Sequence, residues 1–139
     1  MRSVCFLIVA ALAMTAFVGC SGGPKLVRVK AQLVDSGKPI EPDENSSINI
    51  AFIPQADGKE GVTNRVGLLV TGQEGKFDVK GRDPGGIPLG KYRVRISPSS
   101  MKSAMSKSLS VRFDRDDSPL IAEVVDDKLL VIDVAAFKK

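Results

Sequence analysis

The chain reads as an all-β protein, a seven-stranded antiparallel β-sandwich that follows an N-terminal signal peptide. Three observations predict this. Apolar and polar residues alternate with period 2 through most of the sequence after residue 26, helical periodicity is nearly absent, and turn-forming residues recur at short intervals. With one Tyr, six Phe and no Trp, the core must be largely aliphatic.

The first element is the signal. Arg2 is the only charge ahead of an apolar run from Val4 to Val18, the profile of a cleavable export signal. Roughly 15 residues at ~1.5 Å each reach ~22 Å, short of the ~30 Å that a membrane-spanning helix must cross. Phe17-Val18-Gly19-Cys20, followed by Ser21-Gly22-Gly23-Pro24, resembles a bacterial lipobox, with Phe17 in place of the more usual leucine. The resemblance implies cleavage after Gly19, a mature chain that begins at Cys20, and fatty acyl groups on the Cys20 thiol and amine.

Cysteine usage agrees with that assignment. Cys5 and Cys20 are the two cysteines, and Cys5 leaves with the signal. An exported domain would then carry one unpaired thiol in an oxidising compartment, and acylation removes that liability. Two or more acyl chains give stable anchoring. The expected organisation is a signal peptide at 1–19, a short lipidated tether at 20–25 and one domain at 26–139. Ser21 to Pro24 span at most about 14 Å when extended, so the folded part is expected to sit close to the headgroups. The expected location is the cell envelope, on either the inner or the outer membrane.

The strands come in order. Val27, Val29, Ala31 and Leu33 share one face, opposite Arg28, Lys30 and Gln32. Asp35-Ser36-Gly37-Lys38-Pro39 turns the chain, and Ile48, Ile50 and Phe52 align before Pro54 ends the ladder. Val66, Leu68 and Val70 are expected to point inward together. Gln73-Glu74-Gly75 then turns into Lys76 to Lys80, with Phe77 and Val79 inward, making a hairpin. Lys91 to Ile96 sets Tyr92, Val94 and Ile96 against Lys91, Arg93 and Arg95. Leu120 to Val125 and Leu129 to Val134, separated by Asp126-Asp127-Lys128, are predicted to form a second hairpin. Gly75 and Gly90 are expected at positive φ.

The order of short motifs adds a resemblance. Val27-x-Val29, Ser36-Gly37-Lys38-Pro39-Ile40 and Ile50-Ala51-Phe52-Ile53-Pro54 look like the opening of carboxypeptidase-regulatory-like domains. Thr71-Gly72-Gln73-Glu74-Gly75-Lys76-Phe77 and Pro88-Leu89-Gly90-Lys91-Tyr92-Arg93-Val94 resemble the middle of that family. Ser118-Pro119-Leu120, with two predicted strands after it, is similar to the closing hairpin in bacterial lipoproteins of this type. The resemblance covers about Val27 to Val134 and implies a transthyretin-like (prealbumin-like) sandwich. Gln73-Glu74 departs from the family's aspartate-containing turn.

Chemistry is sparse. The chain has no histidine, which removes His-based acid–base catalysis, His metal ligands and Ser-His or Cys-His pairs. The hydroxyisourate hydrolase with this sandwich needs active-site histidines and a different C-terminal tail from Ala135-Ala136-Phe137-Lys138-Lys139. Glu41, Asp43 and Glu44, and likewise Asp114, Asp116 and Asp117, lack the spacing of a calcium loop and read as solvated turn acids. Lys30 offers an amine for an internal isopeptide bond, but the last strand holds Asp133 and no asparagine. No catalytic residue, metal ligand or cofactor site is expected, and the protein reads as a non-enzyme.

The surface carries what signal there is. Arg28, Lys30, Lys91, Arg93 and Arg95 form a candidate basic surface for anionic headgroups or wall polymers, with a plain solvated sheet face as the alternative. Expected partners are membrane lipid through acylated Cys20 and an envelope protein or polysaccharide, with no nucleic acid. The segment Pro98 to Ser118, long for a sandwich connection, places Met101, Met105 and Leu109 at i, i+4 and i+8. It is expected to form a short amphipathic helix on the sandwich edge, or a partner-binding loop. The functional expectation is a structural or adhesive lipoprotein, with a binding module for a small ligand, peptide or polysaccharide as the alternative.

Overall fold

A computed structural model of the chain describes residues 23–55 and 65–137. Cys20 and the 1–19 segment, on which the cleavage and acylation expectations fall, lie outside the described residues. The strands are β1 (Leu26–Val27), β2 (Val29–Asp35), β3 (Lys38–Pro39), β4 (Ser47–Pro54), β5 (Arg65–Val70), β6 (Lys76–Lys80), β7 (Ile87–Pro88), β8 (Gly90–Pro98), β9 (Ile121–Val124) and β10 (Leu130–Asp133). Helix α1 (Ala104–Phe113) joins β8 to β9, and a 3-10 turn, Val134–Phe137, follows β10. Among the described residues no helix is long and apolar enough to cross a membrane.

The seven longer strands form one sheet in the order β10-β2-β6-β5-β4-β8-β9, which curls into a half-barrel. Its neighbours are antiparallel apart from β10, which lies parallel to β2 with Leu130 beside Ala31 and Asp133 beside Val34. The expected all-β, sandwich-like fold is present. β3 adds to the end of β2, and β1 pairs with β7 as a separate ribbon.

Alternation decides which side chains go inside. Val29, Ala31 and Leu33 of β2, Ile48, Ile50 and Phe52 of β4, Phe77 and Val79 of β6, and Tyr92, Val94 and Ile96 of β8 all point into one core. The edge of the Phe52 ring meets Tyr92 at 6.1 Å between centroids, a favoured aromatic geometry. The Tyr92 hydroxyl donates to the carbonyl of Pro88 at 2.6 Å, and burial pushes its pKa up. Gly75 and Gly90 take the positive φ expected of them, 72° and 142°.

Three expectations need correction. In β5 the inward residues are Gly67 and Leu69, while Val66 and Leu68 face outward. The cause is the neighbouring strand: a Cβ at Gly67 would lie 2.3 Å from the Phe77 ring, so the ring of Phe77 fills the place that a side chain would take.

The expected hairpin of residues 120–134 does not form. β9 pairs with β8 and β10 pairs with β2, which puts them on opposite edges of the sheet. Period 2 assigns a face but not a partner.

The helix exists, but its buried face is Ser106, Leu109 and Phe113 rather than Met101, Met105 and Leu109. Met101 lies before the helix, and Met105 is exposed. Ser103 sets the start by accepting a hydrogen bond from the Ser106 N–H at 3.0 Å, the usual work of an N-cap. Leu109 and Phe113, at 1% and 0% exposure, belong to the main core, and Arg112 donates to the carbonyl of Val134 at 3.0 Å. α1 therefore packs against β8 and adds Leu109 and Phe113 to the core.

The Gly67–Phe77 contact makes a measurable claim. An alanine in a strand normally helps, but Gly67→Ala is expected to lower unfolding stability by about 1–3 kcal/mol through overpacking, read by urea denaturation. In a Phe77→Leu background the same change should cost much less, and an equal cost in both backgrounds would refute the contact as its cause.

Candidate functional site

The outer face of β2 and β6 is built by their register. Val29 sits beside Val79 and Lys30 beside Asp78, and Arg28 and Lys80 come next along the chain from Val29 and Val79. Both residues point outward. Beyond β6 the chain makes a tight turn at 81–86, in which Asp83 bridges to Gly86 and the Gly86 N–H donates to the Asp83 carbonyl at 3.1 Å. Gly86 has φ 115°, and a Cβ there would lie 2.0 Å from the carbonyl oxygen of Val27. Only glycine lets this turn press against the chain just before Arg28.

Together these elements wall a cavity of about 530 Å³ lined by Arg28, Lys30, Lys80 and Arg82, with Asp78 and Asp83 also in the wall. Among the described residues, the ion pairs lie elsewhere and none involves these four cations. The cavity adjoins the point where the chain enters the fold. Gly23, Pro24 and Lys25 are exposed, Lys25 accepts a backbone hydrogen bond from Leu89 at 3.3 Å, and β1 begins at Leu26.

The other members of the candidate basic surface lie apart. Lys91, Arg93 and Arg95 are on β8, separated from β2 by β6, β5 and β4. Lys91 is beside Glu123 of β9. Arg93 donates to the Asp116 carbonyl at 2.9 Å, and Arg95 to the Asp116 carboxylate at 3.0 Å, with Asp114 3.7 Å from its Nε. Ser97 donates to Asp114. These two arginines thus hold the turn after α1 against β8. Arg115 pairs with Asp117 within that turn, and its hydrogen bond lowers the Asp117 pKa.

The first acidic cluster is also engaged with backbone. Glu41 accepts from the Gly72 N–H at 2.8 Å. Asp43 accepts from the N–H groups of Lys102 at 3.1 Å and Ser103 at 3.2 Å, fastening the approach to α1. Hydrogen bonding from Ser103, ahead of all other causes, holds the Asp43 pKa at about 2, below its ordinary 3.8. Asp133, which stands on the last strand where an isopeptide bond would need an asparagine, accepts from the N–H groups of Ser36 and Ala135, both at 2.9 Å.

A second cavity, of about 560 Å³, opens between the end of α1 and the 3-10 turn, walled by Val111, Arg112, Phe113, Pro119, Ala136 and Phe137 together with Arg115 and Asp117. The Arg112 guanidinium lies 4.5 Å from the Phe113 ring centroid. This places one wall of a groove on the Pro98 to Ser118 segment.

Sequence reasoning found Arg28 and Lys30 but missed Lys80 and Arg82. The outward positions of Lys76, Asp78 and Lys80 were visible as alternation; their juxtaposition with β2 depends on a long-range register. Comparison of the chain with protein-family models, with curated proteins and with solved structures finds no significant match in any of the three.

The Asp43 clamp predicts an acid response. Its folded pKa is depressed, so its contribution is complete above pH about 4 and disappears as pH falls through about 2. Asp43→Asn should be destabilised at pH 5 and should show a shallower further loss towards pH 2 than the wild type, followed by urea unfolding. Equal acid slopes for the two proteins would remove Asp43 from this role.

Proposed function

We propose that the chain is a non-catalytic, membrane-anchored lipoprotein with a structural or adhesive role in the cell envelope. Its domain is read as a prealbumin-like sandwich of the carboxypeptidase-regulatory-like kind, held by acylated Cys20. The observation that carries this reading is the place where the chain enters the fold. β1 begins at Leu26, so the five steps from Cys20 to Lys25 span at most about 17 Å. A lipid on Cys20 then holds the sandwich against the headgroups, with the Arg28–Arg82 cavity on the tethered side. The chemistry of the carboxylates supports a non-enzymatic reading, since Asp43, Asp117 and Asp126 owe their lowered pKa values to hydrogen bonds that organise turns and the helix start.

A second reading, a binding module for a small ligand, peptide or polysaccharide, is favoured by the groove between α1 and the 3-10 turn. Val111, 77% exposed, lies on its wall. Val111→Arg obstructs that groove without touching the core, and loss of binding to an isolated envelope polysaccharide or peptide with an unchanged melting temperature would assign function to it.

Metabolic labelling with a fatty acid tests the anchor. The wild type is expected to take the label and fractionate with membranes, and Cys20→Ser to take none. An unlabelled wild type would overturn the lipoprotein reading.

A further inference from the structure

We propose that the cavity between β2, β6 and the 81–86 turn receives the phosphate of an anionic phospholipid headgroup, which fixes the face that the domain turns to its membrane. The proposal rests on the anchored lipoprotein reading and adds to it a ligand and an orientation.

Like charges held close together on a sheet face are destabilising, yet Arg28, Lys30, Lys80 and Arg82 share one wall. Among the described residues, the ion pairs join Lys76 with Glu74, Arg95 with Asp114 and Asp116, Arg115 with Asp117, and Lys128 with Asp126. Here the four cations outnumber the two acids of the wall, Asp78 and Asp83, and no ion pair forms among these groups. The wall is shaped as well as charged, since Gly86 brings the 81–86 turn to the Val27 carbonyl in a way that any side chain would block. An oxyanion in this space satisfies several guanidinium and ammonium donors at once and relieves the repulsion among the four cations.

Position selects the source of the anion. Arg28 directly follows β1, exposed Lys25 adds a further cation, and Leu89, 38% exposed, stands beside Lys25 through its backbone hydrogen bond. A basic cavity with an apolar neighbour, at the end of a tether of five residues, faces the headgroups of the membrane that holds the tether. A headgroup is therefore favoured over a freely diffusing phosphate.

The test uses the full chain, produced in a host that processes lipoproteins and mixed with vesicles of phosphatidylcholine alone or with increasing phosphatidylglycerol. Amine-reactive labelling, read by peptide mass, follows Lys30 and Lys80, with exposed Lys107 of α1 as the reference. The mass of the N-terminal peptide reports acylation in the same sample. Protection of Lys30 and Lys80, but not Lys107, is expected in anionic vesicles only, and high salt should weaken it. Lys80→Ala/Arg82→Ala should weaken the contact about 30-fold, at ~1 kcal/mol per cation. It should leave the melting temperature unchanged or raised, because a repulsion is removed. Equal labelling in both kinds of vesicle overturns the proposal, as does protection by inorganic phosphate alone that matches the vesicles. Protection without acylation overturns the anchored reading while leaving the headgroup site standing.

Discussion

The structure depends on a sheet that curls without closing. β9 and β10 end on opposite edges, and the inner face built by β2, β4, β6 and β8 carries the core. Leu109 and Phe113 of α1, which packs against β8, join that core. The burial of two such side chains is worth a few kcal/mol, ~1.5–3 each, and it requires the helix to arrive in a single position. Asp43 and Ser103 fix its start, Arg112 ties it to Val134, and Arg93 and Arg95 hold the turn beyond its end. The long segment between β8 and β9 is therefore part of the scaffold, and only its outer surface is left for a partner.

Those fastenings also divide the charge. The acids of residues 41–44 and 114–117 are largely committed to backbone N–H groups and to the arginines of β8. The cations near the start of the fold receive no comparable share. A mildly basic chain, +4 overall, thus gathers Arg28, Lys30, Lys80 and Arg82 in one wall beside β1, with no ion pair to them among the described residues. Net charge by itself would not have located it.

Much of the fold was legible as alternation, because a side-chain period of 2 assigns faces from local sequence alone. The inner faces of β2, β4, β6 and β8 could be read from their Val, Ile, Phe and Tyr positions. β5 could not, because its decisive inward residue, Gly67, has no side chain to mark the face, and the larger Val66 and Leu68 point outward. Pairing was less legible than facing. Asp126-Asp127-Lys128 looks like a hairpin turn, yet it carries the chain from one sheet edge to the other. The helix start is set by a serine cap, which a stripe of methionines and leucine does not encode. The basic cavity was half visible for the same reason: Arg28 and Lys30 are local to β2, whereas Lys80 and Arg82 join them through tertiary register.

The parallel pairing of β10 with β2 has a consequence in time. Ala31 and Leu130 are neighbours in the sheet although roughly 100 residues apart in the chain, a separation that makes such contacts slow to form. A polypeptide that emerges amino terminus first, whether from a ribosome or through a translocation channel, exposes β2 long before its second neighbour exists. Until Leu130–Asp133 appear, that strand presents an open row of backbone donors and acceptors to anything nearby. The interval is a period of vulnerability to mispairing, and its length is set by the rate of chain delivery rather than by the stability of the finished sheet.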